Sequence, residues 1–442
     1  MVENVLVISG DVLPLPGYPT SGAGLRAWGL GQGLRTHGFR VDFAMPIYGW
    51  REEIQLPPLD FRLFLWNVEN VEQVIRDANP DAVVFCHWPA VRIRERLNIP
   101  TVIDFHGPHI LERAFQRFGE YGENALLKID AIRKADYFIC AGERQKAYFL
   151  SWLLVSGFDV TTQCIDAVPV CLSPDLPAPS LDAGGEVVFV YGGVYLPWQN
   201  PRLGLTTVAE VLASRGTGIL RLFGGRHPVI PIETPPIFRE LEQQLGDHPR
   251  VRFEGILPRD TLIEQYRRAT VAIDLMTANY ERELAFTTRT VEYMWCGLPV
   301  IYNDYAELSP LIREYQAGWT LDPTDRAALE VVINEIIDQP EIARQRGKNA
   351  QRLMRERLTW DKTTIPLANF LKSGQMRPSL EQDLPSSVAA RLGESNYWRR
   401  QPPKFRHTPR TLLNGARFYY QQGGLKGLLR RMWVIARRAA RL

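Results

Sequence analysis

Thr287, Thr288, Arg289 and Thr290, with Glu292 just beyond them, are residue types at a spacing that could do chemistry together. Three hydroxyls and a guanidinium stand where a polar loop gives way to an apolar helical run. A helix N-terminus there offers free backbone N–H groups and the positive end of the helix dipole, so the junction can seat an anion. Glu292 sits about one turn into the helix, where a carboxylate can accept a pair of sugar hydroxyls. Phosphate donors beside a hydroxyl-binding acid describe a nucleotide site. A capped helix packed on a sheet, with Glu292 in solvent, fits the same residues.

The surrounding elements must hold these groups in place. Residues 291–295 read as a buried helical turn ended by Cys296-Gly297, and residues 298–301 begin a buried strand. Upstream, residues 5–8 form a short apolar run expected of a buried parallel strand. A Pro/Gly-rich loop from 10 to 24, a helix over 25–36 and a strand over 41–45 complete a βαβ opening. Gly22, Gly24 and Gly29 do not have dinucleotide-fingerprint spacing, which argues against a nicotinamide or flavin site. Gly22-Ala23-Gly24 does let backbone approach a ligand at the strand's carboxyl end. Strands over 82–86, 101–105 and 135–140 end at polar residues, with His87 after the first and His106 after the second. The pattern then restarts: strands over 187–191, 219–223, 251–253 and 271–275 alternate with helices. Two βα domains in series, with Gly-punctuated strand ends, predict a cleft between facing sheets.

At 442 residues, 45% hydrophobic and 23% charged, the chain suits two globular domains plus an appendage. Five scattered cysteines without a CxxC pair predict neither a disulfide framework nor a metal site, and fit a reducing cytoplasm. No basic, long apolar leader begins the chain, and no run is apolar enough to span a bilayer. The net charge of +3 conceals an asymmetry: residues 397–442 hold twelve Lys/Arg and no acid. Over 424–442, leucines and other apolar residues recur every three or four positions, opposite Lys426, Arg430 and Arg437, with Arg431 and Arg438 flanking and Trp433 among them. Such a basic amphipathic helix is expected to lie on an anionic membrane surface, or to dock on the acidic body. No nucleic-acid motif accompanies it.

Residues 281–301 resemble the donor-binding segment of retaining GT-B glycosyltransferases, in particular glycosyltransferase family four. Glu292 and Cys296-Gly297-Leu298-Pro299-Val300 match the second half of that motif. Leu284 stands where the family has a first glutamate, and Glu281 and Glu283 beside it are the candidates for the donor-sugar contact. Thr288-Arg289 through Pro299 is similar to a branch that serves cell-surface polysaccharides. Gly22-Ala23-Gly24 resembles the family's Gly-Gly loop, and His106 its strand-end histidine. Gly192-Gly193 with Trp198 and residues 224–228 resemble the second domain of that branch. The family's phosphate-binding lysine has no counterpart, so Arg226 and Arg289 are the candidates for the phosphate charges. Ile256 and Leu257 match the place where the family receives the base.

The resemblance, covering about residues 5–371, implies an α/β GT-B fold of two Rossmann-like domains. The expected divisions are an acceptor-side domain over 1–170, a nucleotide-sugar domain over 171–373, a linker over 374–396 and the basic tail over 397–442. The implied activity is transfer from a nucleotide sugar to a glycan or lipid-linked acceptor, with retention and without metal or cofactor, at the cytoplasmic face of the membrane. His106, Arg289 and Glu292 are the implied catalytic residues. Gly22, Gly24, Gly193, Arg226, Thr287 and Thr288 would hold the donor and its phosphates. A sugar-nucleotide epimerase of the same fold and a non-catalytic membrane scaffold are the alternatives.

Overall fold

In the computed structural model, residues 2–378 and 380 are described, apart from 118, 120, 179–185, 228, 229 and 231. Two parallel sheets carry the chain. The first contains β1 (Asn4–Ser9), β2 (Arg40–Pro46), β3 (Leu63–Trp66), β4 (Ala82–Cys86), β5 (Thr101–Asp104), β6 (Tyr137–Cys140) and β7 (Ile165–Ala167). Its order is β3-β2-β1-β4-β5-β6-β7. The second contains β8 (Val188–Val194), β9 (Ile219–Gly225), β10 (Val251–Phe253), β11 (Val271–Asp274), β12 (Val300–Asn303) and β13 (Gly318–Leu321), ordered β10-β9-β8-β11-β12-β13. The apolar runs explain this choice, because Val5, Leu6, Val7 and Ile8 are all buried and only a sheet covered on both faces accommodates four consecutive apolar residues.

Strand order reverses between β1 and β4 in the first sheet and between β8 and β11 in the second. Crevices at the carboxyl ends of strands flanking such a reversal are where open α/β sheets bind ligands. The ends of β1, β4, β8 and β11 bring Asp11, His87, Gly193 and Asp274 to these places.

The helix expected over 25–36 starts earlier, at Gly22 (Gly22–Thr36), because Ser21 caps it by accepting the Gly24 N–H at 3.3 Å. Strands β3, β7 and β13 went unread in the sequence. Each is three or four residues long at a sheet edge, and two of them, Ile165–Ala167 and Gly318–Leu321, mix polar with apolar residues. The helix Ile365–Ser373 returns to the first sheet, where Leu367, Ala368 and Leu371 share a core with Val5, Leu30, Val41 and Ile139.

Gly374, at φ 61°, ends that helix, but the chain does not become a free linker there. Arg377 donates its backbone N–H to Asp136 (3.2 Å) and its Nε to the Ala135 carbonyl (2.6 Å), and its guanidinium lies 4.9 Å from the centre of the Phe158 ring. The expected linker therefore begins as a strap bonded to the first half. The tail residues Lys426, Arg430, Arg431, Trp433, Arg437 and Arg438 lie outside the described residues. Among the described residues, no helix is long and apolar enough to cross a membrane.

Candidate functional site

Two helix N-termini meet where the sheets face each other. Gly22 opens the helix Gly22–Thr36 of the first half, and Thr288 opens the helix Thr288–Trp295 of the second. A Cβ on Gly22 would lie 3.0 Å from the Thr288 hydroxyl, so the absence of a side chain allows the two termini to abut. Unbonded N–H groups and two positive dipole ends converge on one spot. Leu25 joins Phe286, Val291 and Met294 in a single apolar core beneath it.

Arg289 brings a full charge to this spot. The Tyr293 hydroxyl accepts the Gly192 N–H at 2.7 Å, which ties the end of β8 to the helix Thr288–Trp295. Gly193 then runs against the Arg289 guanidinium, with φ 120°, and a Cβ there would come within 2.9 Å of Cζ. The guanidinium lies over the Tyr191 ring, 5.2 Å from its centre. Its buried Nη1 has no hydrogen-bond partner among the described residues. An arginine held by stacking, with a donor left over beside two helix termini, is arranged to receive phosphate oxygens.

Glu292 is buried at 7% exposure, which removes the reading of a solvated carboxylate. Its Oε1 accepts from Arg259 Nε at 3.0 Å. Burial pushes this carboxyl above its ordinary range, with Arg259 pulling in the opposite direction. Arg259 opens the helix Arg259–Arg267, directly after the Ile256-Leu257-Pro258 run. Ile256 is exposed and Leu257 half-buried, and a Cβ on Gly225 would meet Ile256 at 3.4 Å, so this apolar run borders the end of β9.

The remaining candidates are placed less centrally. The Thr287 hydroxyl is engaged with the Tyr302 hydroxyl (3.0 Å), and Thr290 donates to Asp274 (2.5 Å), so these two hydroxyls position the helix and Thr288 keeps the role of donor. Gly24 approaches its own chain: a Cβ there would overlap the Val12 carbonyl at 1.7 Å, so its bareness serves that loop and leaves no room for a ligand. Arg226 is exposed and donates Nε to Thr234 at 3.1 Å. Glu281 is buried and bonded through both oxygens to Arg282 (2.5 and 2.8 Å), whereas Glu283 is exposed. A neutralised Glu281 and a solvent-facing Glu283 leave Leu284 without a plain substitute for a sugar-binding carboxylate.

His106 stands at the end of β5 with φ 56°, and its backbone N–H reaches Asp104 at 3.2 Å. Asp104 is itself clamped by a buried pair of bonds from Arg26 (2.7 and 2.9 Å), and Arg26 also donates to the Val168 carbonyl. Burial lowers the His106 pKa, so the imidazole is neutral near pH 7. Sequence reasoning missed Asp11 and His227, which join the two halves: His227 Nε2 lies 3.0 Å from Asp11 Oδ2. The His227 Nδ1 accepts the Ile230 N–H, so Nε2 carries the proton and donates. Ser21 donates to the same Asp11 oxygen at 2.6 Å. Burial alone would raise the Asp11 carboxyl, but the bonds from His227 and Ser21 prevail and hold it below the usual range. Asp11 and His227 follow strand ends in opposite halves, a signal visible only once both sheets are placed. Among the described residues, no cluster of three or more His, Cys, Asp or Glu could hold a metal ion.

Two family profiles match this chain: one described as Glycosyl transferases group 1, over residues 176–353, and one described as Glycosyltransferase Family 4, over residues 20–161. A D-inositol 3-phosphate glycosyltransferase of Acidothermus cellulolyticus is 28% identical over 214 residues, covering 46% of this chain and 45% of that protein. The matched segments span less than half the length of the curated relatives. The structure of sucrose-phosphate synthase from Thermosynechococcus elongatus superposes with a TM-score of 0.65 at 19% identity, covering 84% of this chain and 98% of that one. Anabaena HepE in complex with UDP and glucose gives a TM-score of 0.59 at 16% identity, with 84% and 100% coverage. These structural likenesses speak for the fold, which is the two-domain GT-B arrangement of facing parallel sheets.

Proposed function

From the premise that this chain belongs to the group 1, family four glycosyltransferases, we propose that it transfers a sugar from a nucleotide-sugar donor, with retention, to a glycan or lipid-linked acceptor in cell-surface polysaccharide synthesis. The observation that carries this reading is the junction of Gly22, Gly193, Thr288 and Arg289. There, two helix N-termini and an unspent guanidinium donor converge, the kind of donor set a diphosphate requires. The UDP and glucose in the Anabaena neighbour support a donor of this class.

In this reading Glu292 accepts the ribose hydroxyls through the oxygen that Arg259 leaves available, and Ile256 and Leu257 receive the base. As the glycosidic bond breaks, negative charge grows on the leaving diphosphate. Arg289, the Thr288 hydroxyl and the helix N–H groups stabilise it without reorganising. His106, neutral, hydrogen-bonds the donor sugar. The acceptor hydroxyl attacks from the face the leaving group departs, and its proton passes to the departing phosphate oxygen, so no protein base and no metal are required. The twelve basic residues after residue 396 would hold the enzyme at an anionic membrane surface on the cytoplasmic side, where a lipid-linked acceptor is reached.

A thermal-shift screen over nucleoside diphosphates and nucleotide sugars tests the reading. A ligand at a hundredfold its dissociation constant adds about 2.7 kcal/mol. The expected result is one preferred nucleotide, whose sugar is then transferred with its anomeric configuration kept, as read by NMR of the product. No shift and no turnover with any donor would leave a non-catalytic scaffold, and release of an isomerised free sugar would mark an epimerase.

A further inference from the structure

His87 follows β4 with φ 126° and ψ 138°, a region that L-residues other than glycine scarcely enter. Its neighbour across the strand ends, His106, also has a positive φ of 56°. Strain of this kind persists where function requires a side chain, since glycine would remove it at no cost to the turn. The His87 ring meets His109 edge-on at 4.8 Å and lies 6.3 Å from His106. His109 Nδ1 is 3.6 Å from Glu112, and the Glu112 carboxylate reaches back to Gly107, where a Cβ would lie 2.8 Å from Oε1. Beneath them Trp88 is 2% exposed and packs against both His87 and His109. Two polar atoms in this cluster, His87 Nδ1 and Trp88 Nε1, are buried without a hydrogen-bond partner among the described residues. Buried polar atoms are ordinarily satisfied, so these two unpaired atoms on consecutive residues call for a hydrogen-bonding partner that the described residues do not supply.

We propose that His87, His109 and Glu112, with Trp88 as floor, form a hydroxyl-binding acceptor subsite beside His106 that takes a neutral sugar. This assignment rests on the glycosyltransferase reading and specifies its acceptor. The charges support neutrality. Arg26 is spent on Asp104 and Arg282 on Glu281, Arg289 lies at the donor phosphates, and burial lowers the Lys128 pKa well below its usual value, which weakens it as an anchor for an anion. Glu112 and the nearby Asp11 would repel an anion. Burial, reinforced by His109, His106 and Lys128, holds the His87 pKa well below its usual value, so the ring accepts a hydrogen bond from a hydroxyl and carries no charge to attract a carboxylate.

The test uses the full chain saturated with the nucleoside diphosphate that the thermal screen selects, probed by saturation-transfer NMR. The probes are methyl glycosides of neutral hexoses, with glucuronate and glucose 6-phosphate as anionic controls. Neutral glycosides are expected to bind the wild type and to bind His87→Gly and His109→Ala at least tenfold more weakly, with nucleotide affinity unchanged within twofold. Wild-type binding of neutral glycosides by His87→Gly, or a preference of the wild type for the anionic sugars, overturns the subsite. If no nucleoside diphosphate binds the wild type, the glycosyltransferase reading fails instead.

Discussion

Replacing Arg289 by alanine should cost about three decades in turnover while leaving the protein folded. The guanidinium stacks on Tyr191 and has a buried Nη1 to spend, so its loss removes one full charge from the leaving diphosphate. Two unit charges about 4 Å apart interact by about 4 kcal/mol at the effective dielectric of a partly buried site, and each 1.4 kcal/mol is a factor of ten. Removal of a single preorganised donor commonly costs two to three decades, which agrees. Arg289→Lys keeps the charge but not the planar stack, and should recover about one decade. Gly193→Ala provides an independent arm, since its Cβ would stand 2.9 Å from Arg289 Cζ at φ 120° and must displace the guanidinium. The assay is donor turnover under saturating donor, alongside thermal melting of each variant. A folded Arg289→Ala enzyme within threefold of wild type would refute the phosphate assignment.

Glu292→Ala should abolish donor affinity. In the wild type, the KM for donor should rise on acidification from a higher pH than an ordinary glutamate predicts: burial makes Glu292 keep its proton to higher pH, so the form that accepts two hydroxyls is lost as pH falls. A pH-independent KM between pH 4.5 and 7.5 would contradict this. Lys128→Met should stabilise the fold, because Lys128 is 0% exposed, its Nζ has no hydrogen-bond partner among the described residues, and it faces Phe105, Tyr148, Phe149, Trp152 and His87. Burial lowers its pKa, so between the folded and unfolded values the unfolded chain holds one more proton and wild-type stability climbs by about 1.4 kcal/mol per pH unit. That slope should vanish in the variant, as read by urea melts at several pH values. EDTA should leave transfer unchanged, and metal-dependent turnover would demand another mechanism. The full chain should co-sediment with anionic vesicles, since six basic residues near such a surface supply about 6 kcal/mol. A chain ending after Leu380, which keeps the Arg377 strap, should not; equal sedimentation of both would mean that the tail packs on the body.

The sheets were legible because their central strands are unbroken apolar runs, and the site's second half because Thr288, Arg289 and Glu292 keep helical spacing on one short helix. Three short strands were not: Ile165–Ala167 and Gly318–Leu321 mix polar with apolar residues, and Leu63–Trp66, though apolar throughout, is only four residues long after a proline-containing loop. Pairings between distant residues were also beyond reach: Glu292 with Arg259, Arg26 with Asp104 and Asp11 with His227 depend on where the topology places strand ends. His87 was passed over because a histidine after a strand carries no mark of its backbone angle. Gly24 was over-read, as a glycine near a strand end looks the same whether it faces a ligand or a carbonyl.

The return of Leu367, Ala368 and Leu371 to the core of the first sheet has a consequence for how this protein is made. Domains of a nascent chain usually fold in order as they emerge, at about 5–20 residues per second. Here the first sheet waits for its last packing partners until the whole second half has been translated, so the amino-terminal half spends that interval with the groove beside Leu30 and Ile139 uncovered. A chimera that exchanges the donor-side half between related enzymes must therefore leave residues 365–373 with the amino-terminal partner, or the first sheet will be closed by a helix shaped for another interior.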